Sequence, residues 1–395
     1  MGLLPSGFGA RFWCLIAATF LGFLGIGTVL PALAPHVRHD LGGSDQTVGL
    51  VIGIFSFVAL GSRLFSGPLA DRRGRKVCFL SGLASCGCAG IAYLLPLGVG
   101  GACLARVFQG FGEACLYTGA AAWAVELAGI HRSAQTLGLI SSGIWGGISA
   151  GPVVGNWLGT FERAAIMQVV AAAAAFALLT QVREEYRPSP HHEHRRWPGS
   201  FIIAPGVAIG FINVHYPVVA GFLILHLAKF GKAGPVAFSS YASLILMSRF
   251  FLGGLPDRIH PAITFFGGIA CMACGLVGVA WAPTPAVAIA AMGLVGFGFS
   301  FPWSSVASMV LRRTPEQQRG SAIGVLTAFY DLFVGISSLA AGAVAKNYGY
   351  PYAFLMAAVS IGAAAIAGRY VFWPAGRDRA RPTEPLEPLT SVAHQ

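Results

Sequence analysis

The feature that most limits what this chain can become is its succession of apolar runs, each long enough to cross a bilayer. A helix needs about 20 apolar residues to span the hydrocarbon core. Twelve candidate segments follow one another, at 11–36, 46–70, 76–98, 101–127, 133–160, 163–182, 200–228, 233–255, 261–281, 284–311, 319–345 and 351–373. Hydrocarbon offers no water to an unpaired backbone group, so each segment is expected to be helical. Charged residues make up 10% of the 395 residues, against about 25% in soluble domains. Such a chain cannot cover a water-exposed globule, which excludes a soluble enzyme. Its 55% hydrophobic content excludes a disordered chain. The expectation is an all-α membrane protein.

The long hydrophilic insert at 183–199 divides the segments six and six. The implied organisation is a first half at 1–182, a cytoplasmic linker at 183–199, a second half at 200–373 and a cytoplasmic tail at 374–395. With the N-terminus inside, the cytoplasmic segments hold 18 Lys and Arg and the opposite loops hold 5. That asymmetry places both termini in the cytoplasm. The net charge of +11 therefore reports topology, and no nucleic-acid partner is expected. The first apolar run, from Phe12 to about Val37, is too long for a signal-peptide core. Eight cysteines show no pairing pattern; Cys271 and Cys274 form a C-x-x-C inside an apolar run with no second pair, so no metal site is expected.

The halves repeat. Ser62-Arg63-Leu64-Phe65-Ser66-Gly67-Pro68-Leu69-Ala70-Asp71-Arg72 matches Ser248-Arg249-Phe250-Phe251-Leu252-Gly253-Gly254-Leu255-Pro256-Asp257-Arg258 at an offset of 186. The same offset pairs Pro31 with Pro217, Gly110-Phe111-Gly112 with Gly296-Phe297-Gly298, and Gly138 with Gly324. Repeats of this kind place a substrate site between them, near the bilayer midplane.

With these motifs in view, the chain resembles the major facilitator superfamily over its whole length. Gly67-Pro68-Leu69-Ala70-Asp71-Arg72-Arg73-Gly74-Arg75-Lys76 looks like the family's motif A. Arg106-x-x-Gln109-Gly110-x-Gly112 is similar to motif B, with Glu113 where the motif has a small residue. Gly138, Gly147, Gly151, Pro152 and Gly155 resemble motif C, with Asn156 in place of the final glycine. The resemblance implies twelve transmembrane helices in two pseudo-symmetric halves, a functional monomer, and a bacterial permease of the arabinose-efflux or drug–proton-antiporter kind. It assigns Asp71, Arg72, Gly74 and Arg75, with the reduced copy Asp257 and Arg258, to a cytoplasmic gate. Independently of it, Asp71 can cap a neighbouring helix N-terminus and lies i,i+4 from Arg75. Glycines 147, 151 and 155 make a small-residue face for close helix approach, expected at the moving seam between the halves.

A charge deep in the bilayer costs roughly 2.5–3.5 kcal/mol on insertion scales, so it serves function or pairs. Glu113 and Asp331 fall near the middle of their segments, one in each half. Burial disfavours a charged carboxylate, which makes these two the candidates to carry a proton. Arg106, Gly110, Glu113 and Tyr117 share one helix face, flanked by Gln109, and are expected to line the cavity. Asn213 and His215 lie at the same depth just before Pro217. Arg63 and Arg249 are read as structural, snorkelling or gate-pairing residues near the cytoplasmic ends. The functional expectation is proton-coupled efflux of a small organic solute by alternating access. Uptake of a sugar or organic anion is the alternative, and a non-transporting sensor is the third. No catalysis and no cofactor are expected; the proton gradient supplies the energy, at a bacterial inner membrane.

Overall fold

The computed structural model describes residues 8–128, 133–184, 200–252, 259–314 and 319–373. In the first half they form α1 (Ala10–Pro35), α2 (Asp45–Arg73), α3 (Arg75–Leu94), α4 (Gly98–Ala128), α5 (Ser133–Leu158) and α6 (Phe161–Thr180). In the second half α7 (Ile203–Asn213 and His215–His226) and α8 (Ala233–Leu252) come first. They are followed by α9 (Pro261–Ala280), α10 (Pro285–Phe299 and Pro302–Arg312), α11 (Arg319–Tyr348) and α12 (Tyr350–Phe372).

Local chemistry sets the ends. Ser44 and Thr47 form a reciprocal capping box at the start of α2. Thr160 and Thr284 cap α6 and α10 through their hydroxyls. Gly74 and Gly349, at φ 107° and 94°, supply the backbone that lets one helix end and the next begin at once. Proline sets the internal breaks. Pro217 crowds the carbonyl four residues earlier, at Asn213, where α7 is interrupted, and Pro302 starts the second piece of α10.

Among the described residues, nine spans are both long and apolar enough to cross a membrane. The other three helices, α4, α5 and α8, are 31, 26 and 20 residues long. In α4 the apolarity is diluted by Arg106, Gln109 and Glu113. The polar residues that weaken its membrane signal are those that matter below.

The first half is built on α1 against α5 and α6, α3 against α4 and α6, and α2 against α4. The second is built on α9 against α10 and α12, α10 against α8, and α12 against α7. The 186-residue register of the sequence holds in three dimensions. A Cβ at Gly110 would run into the Phe55 carbonyl, and one at Gly296 into that of Tyr241, its counterpart. Likewise a Cβ at Gly82 would lie 2.9 Å from the Gly112 carbonyl, and one at Gly268 2.7 Å from that of Gly298.

The halves meet mainly through two seams, α2 against α11 and α5 against α8, which the repeat makes equivalent. At the α1–α2 end they are closed. Gly49 admits the α11 backbone at Ser338 and Gly342, and Gly53 admits the Ser338 side chain. Lys346 donates to Gln46 at 3.2 Å, Tyr350 to Asp45 at 3.1 Å, and Asn156 to Ser239 at 3.3 Å.

Candidate functional site

The centre of the molecule is organised by Arg63, not by Arg106. Arg63 Nε donates to Asp331 Oδ2 at 2.7 Å, and Nη2 donates to Glu113 Oε2 and Oε1 at 3.2 and 3.3 Å. All three side chains are nearly shut from solvent, at 11%, 13% and 2% exposure for Arg63, Glu113 and Asp331. The Tyr117 ring lies 5.3 Å from the guanidinium carbon. Asp331 belongs to the second half, so this cluster ties the halves together across α2 and α11. The expectation that set Arg63 near the cytoplasmic end is thus corrected in place: of its structural, snorkelling and gate-pairing readings, the pairing one describes it, but its partners are the mid-helix Glu113 and Asp331. A helical side chain points toward its own N-terminus. For α2 that direction leads back from the α2–α3 turn to the middle of the bundle.

Arg106 is occupied elsewhere. It donates to the carbonyls of Val51 at 3.1 Å and Ile52 at 3.3 Å, and to Gln109 Oε1 at 2.7 Å, while stacking 4.4 Å from the Phe55 ring. Gln109 also accepts from Tyr93 and donates to Gln168, which donates to the Cys86 carbonyl. This network is buried within the first half. The α4 face expected to line a cavity is instead packed on α2 at Arg106 and Gly110, and only Glu113 and Tyr117 reach the central arginine. Sequence spacing missed Tyr93 and Gln168 because they come from α3 and α6. Asn213 and His215 are buried too. Asn213 donates to the Ile209 carbonyl at 2.7 Å, and His215 contacts the Ile212 carbonyl at 2.7 Å and the Tyr241 hydroxyl at 3.0 Å.

The second repeat copies the position of Arg63 without its partners. Arg249 lies with its guanidinium carbon 4.4 Å from the Trp145 ring and 5.9 Å from that of Phe299. Trp145 and Phe299 stand 186 residues from Asp331 and Glu113, so two aromatic rings replace two carboxylates. Next to them is a pocket lined by Leu30, Trp145 and Ile148 from the first half and by Val219, Tyr241 and Phe299 from the second. Its free space is about 20 Å³, room for about one water. The site is closed in this conformation.

Twelve helices in a six-plus-six repeat, with ionisable groups buried at the junction, fit one architecture, and comparison with known proteins agrees. The family model described as Major Facilitator Superfamily matches residues 15–317 and 218–394. The chain belongs to the Major Facilitator Superfamily. It is 27% identical over 362 residues to an MFS-type transporter of Burkholderia mallei (strain SAVP1), covering 88% of this chain and 89% of that one. It is also 27% identical over 371 residues to one of Salmonella typhimurium (strain LT2), covering 89% and 94%. Among solved structures a D-xylose–proton symporter superposes with a TM-score of 0.77 at 14% identity, over 92% of this chain and 98% of that one. The chain is therefore a multi-pass membrane transporter of this superfamily.

Two superfamily motifs sit differently from their sequence reading. Gly74 separates α2 from α3, so Asp71 and Arg75 lie on different helices and no i,i+4 geometry joins them. Arg75 pairs with Glu126 at the end of α4. The cap on α3 comes from Glu184, whose carboxylate accepts from the backbone N–H of Arg75 at 2.6 Å and of Lys76 at 3.2 Å. Lys76 then donates to the carbonyls of Thr180 and Val182. The loop is thereby fastened to the end of α6, a contact that sequence spacing could not reveal. Asp257 and Arg258 lie outside the described residues, as does the side-chain environment at Gly138. In α5, Gly147, Gly151 and Gly155 admit the α1 backbone at Phe20, Gly27 and Thr28. Pro152 lines the pocket. The glycine face therefore packs inside the first half, and α5 meets α8 through other residues, Asn156 and Trp145 among them.

Proposed function

We propose that this transporter couples movement of a small organic solute to protons by alternating access, with Glu113 and Asp331 as the proton-carrying groups. The observation that carries the reading is the Arg63 cluster, in which two buried carboxylates from opposite halves share one guanidinium. One negative charge is in excess there, and a single proton removes it. Protonating Asp331 would also weaken the tie between α2 and α11, so proton occupancy and the closure of the halves are linked. Export in exchange for protons is supported by the resemblance of the α5 glycines to motif C, which in the superfamily is associated with proton-coupled exporters. Uptake with protons is favoured by a different observation. The cluster with a carboxylate in excess lies in the same core as Arg249, which has no carboxylate partner among the described residues, so a proton and an anion can load together. The excess of basic residues in the loops on one side supports cytoplasmic termini at a bacterial inner membrane.

The test uses everted vesicles with an imposed proton gradient and a pH-reporting dye, challenged with sugars, organic acids, cations and antibiotics. Wild type should move protons when its solute is added. Glu113→Gln and Asp331→Asn should each reduce that signal by at least about tenfold while solute exchange at equal pH persists. Proton movement unchanged in both variants would overturn the assignment.

A further inference from the structure

We infer that the solute carries an acidic group which Arg249 receives, with its apolar body held between the halves. The proposal deepens the transport reading and rests on it for the fate of the ligand, not for its binding. Among the described residues, the interior of the spanning helices holds three arginines, Arg63, Arg106 and Arg249, but two carboxylates, Glu113 and Asp331. One cation is in excess. Arg63 is bound to both carboxylates and Arg106 to two carbonyls and an amide. The excess falls on Arg249.

Arg249 Nε and Nη2 are closed to solvent and have no hydrogen-bond partner among the described residues. A buried charged donor left unmatched is costly, and a bilayer interior raises that cost. These two nitrogens form one edge of the guanidinium fork, the edge that takes a carboxylate in bidentate geometry. They are also the two atoms that Arg63 uses on Asp331 and Glu113. The aromatic faces of Trp145 and Phe299 hold the cation in place by cation–π attraction without consuming those donors.

The pocket agrees with this polarity. Phe238, Ala242 and Ile245 line it from one face of α8, and Arg249 continues that face by one turn. Leu30, Ile148 and Val219 make its opposite walls apolar. The walls come from both halves, so separating the halves would enlarge the space from its closed volume. The ligand class that fits is a small organic monoanion, a carboxylate or similar oxyanion, on an aromatic or branched apolar body.

The experiment uses the full chain purified in detergent, with no proton gradient. Benzoate, 3-phenylpropionate and 3-methylbutanoate are compared, each with its neutral amide, by thermal unfolding and by quenching of tryptophan fluorescence. At least one acid should stabilise the protein and bind at least about tenfold more tightly than its amide. Arg249→Gln should lower the affinity for the acid to that for the amide, and Arg249→Lys should recover part of it. The acid–amide comparison on the wild type stands even if a variant fails to fold. Acids that bind no better than amides, no acid binding at millimolar concentration, or full acid affinity in Arg249→Gln would each overturn the proposal. Acid binding without proton movement in vesicles would remove the coupling reading and leave this site. Coupled movement of neutral solutes alone would remove this site and leave the coupling.

Discussion

Arg63 and Arg249 occupy equivalent positions in the two repeats, yet one is held by two carboxylates and the other lies on two aromatic rings. The surrounding backbone is shared, down to the glycines that let α4 approach α2 and α10 approach α8. The difference teaches that duplication conserved the scaffold while side chains at two positions per site diverged. On the first side, charge binds the halves to each other. On the second, charge is left over at the edge of a pocket.

The largest effect on this contrast should come from Arg63→Gln. It leaves Glu113 and Asp331 together without a cation, and removing one partner of a buried ion pair costs about 3–5 kcal/mol. Thermal unfolding in detergent should show the loss, and adding Asp331→Asn should restore most of it. Stability equal to wild type would mean that the cluster does not tie the halves. Next in size is Trp145→Asp, which gives Arg249 the carboxylate that Arg63 has at the equivalent position. The protein should remain folded and lose at least about tenfold in affinity for organic acids, since its own carboxylate now fills the fork. A binding isotherm unchanged from wild type would show that Arg249 does not take the acid. Smaller effects should follow from Gly110→Ala and Gly296→Ala. Each adds a methyl against a carbonyl in a tight crossing, at a cost of about 1–3 kcal/mol. Similar losses in denaturation would sharpen the repeat; a large loss at one site alone would break it. The smallest should come from Glu184→Gln, which weakens the charged cap on α3 by about 0.5–2 kcal/mol. The second repeat has Tyr370 at the corresponding position, and α9 is capped by His260, so the effect should be confined to the first half in hydrogen exchange.

Much of the fold was legible because bilayer physics acts on composition. Run length set helix length, and the repeat offset of 186 matched residues that proved to make equivalent contacts. Glu113 and Asp331 stood out because carboxylates are rare in apolar runs. Their partner did not. Arg106 shares a helix face with Glu113, so spacing favoured it, whereas Arg63 reaches them from α2 across a helix–helix contact. The glycines of α5 announced a close approach but not to which helix. Their partner, α1, became evident only once the helices were packed.

The sequence by itself determined that this chain forms membrane helices, how many, and that they come as a repeated set of six. Those properties depend on local apolarity and on residue-by-residue periodicity. Tertiary structure alone decided which arginine meets the two carboxylates, which one meets aromatic rings, and that Glu184 caps α3. Charge pairing is a matter of a few ångströms across helices. Residues 268 positions apart, such as Arg63 and Asp331, come within that distance only when two halves close on each other.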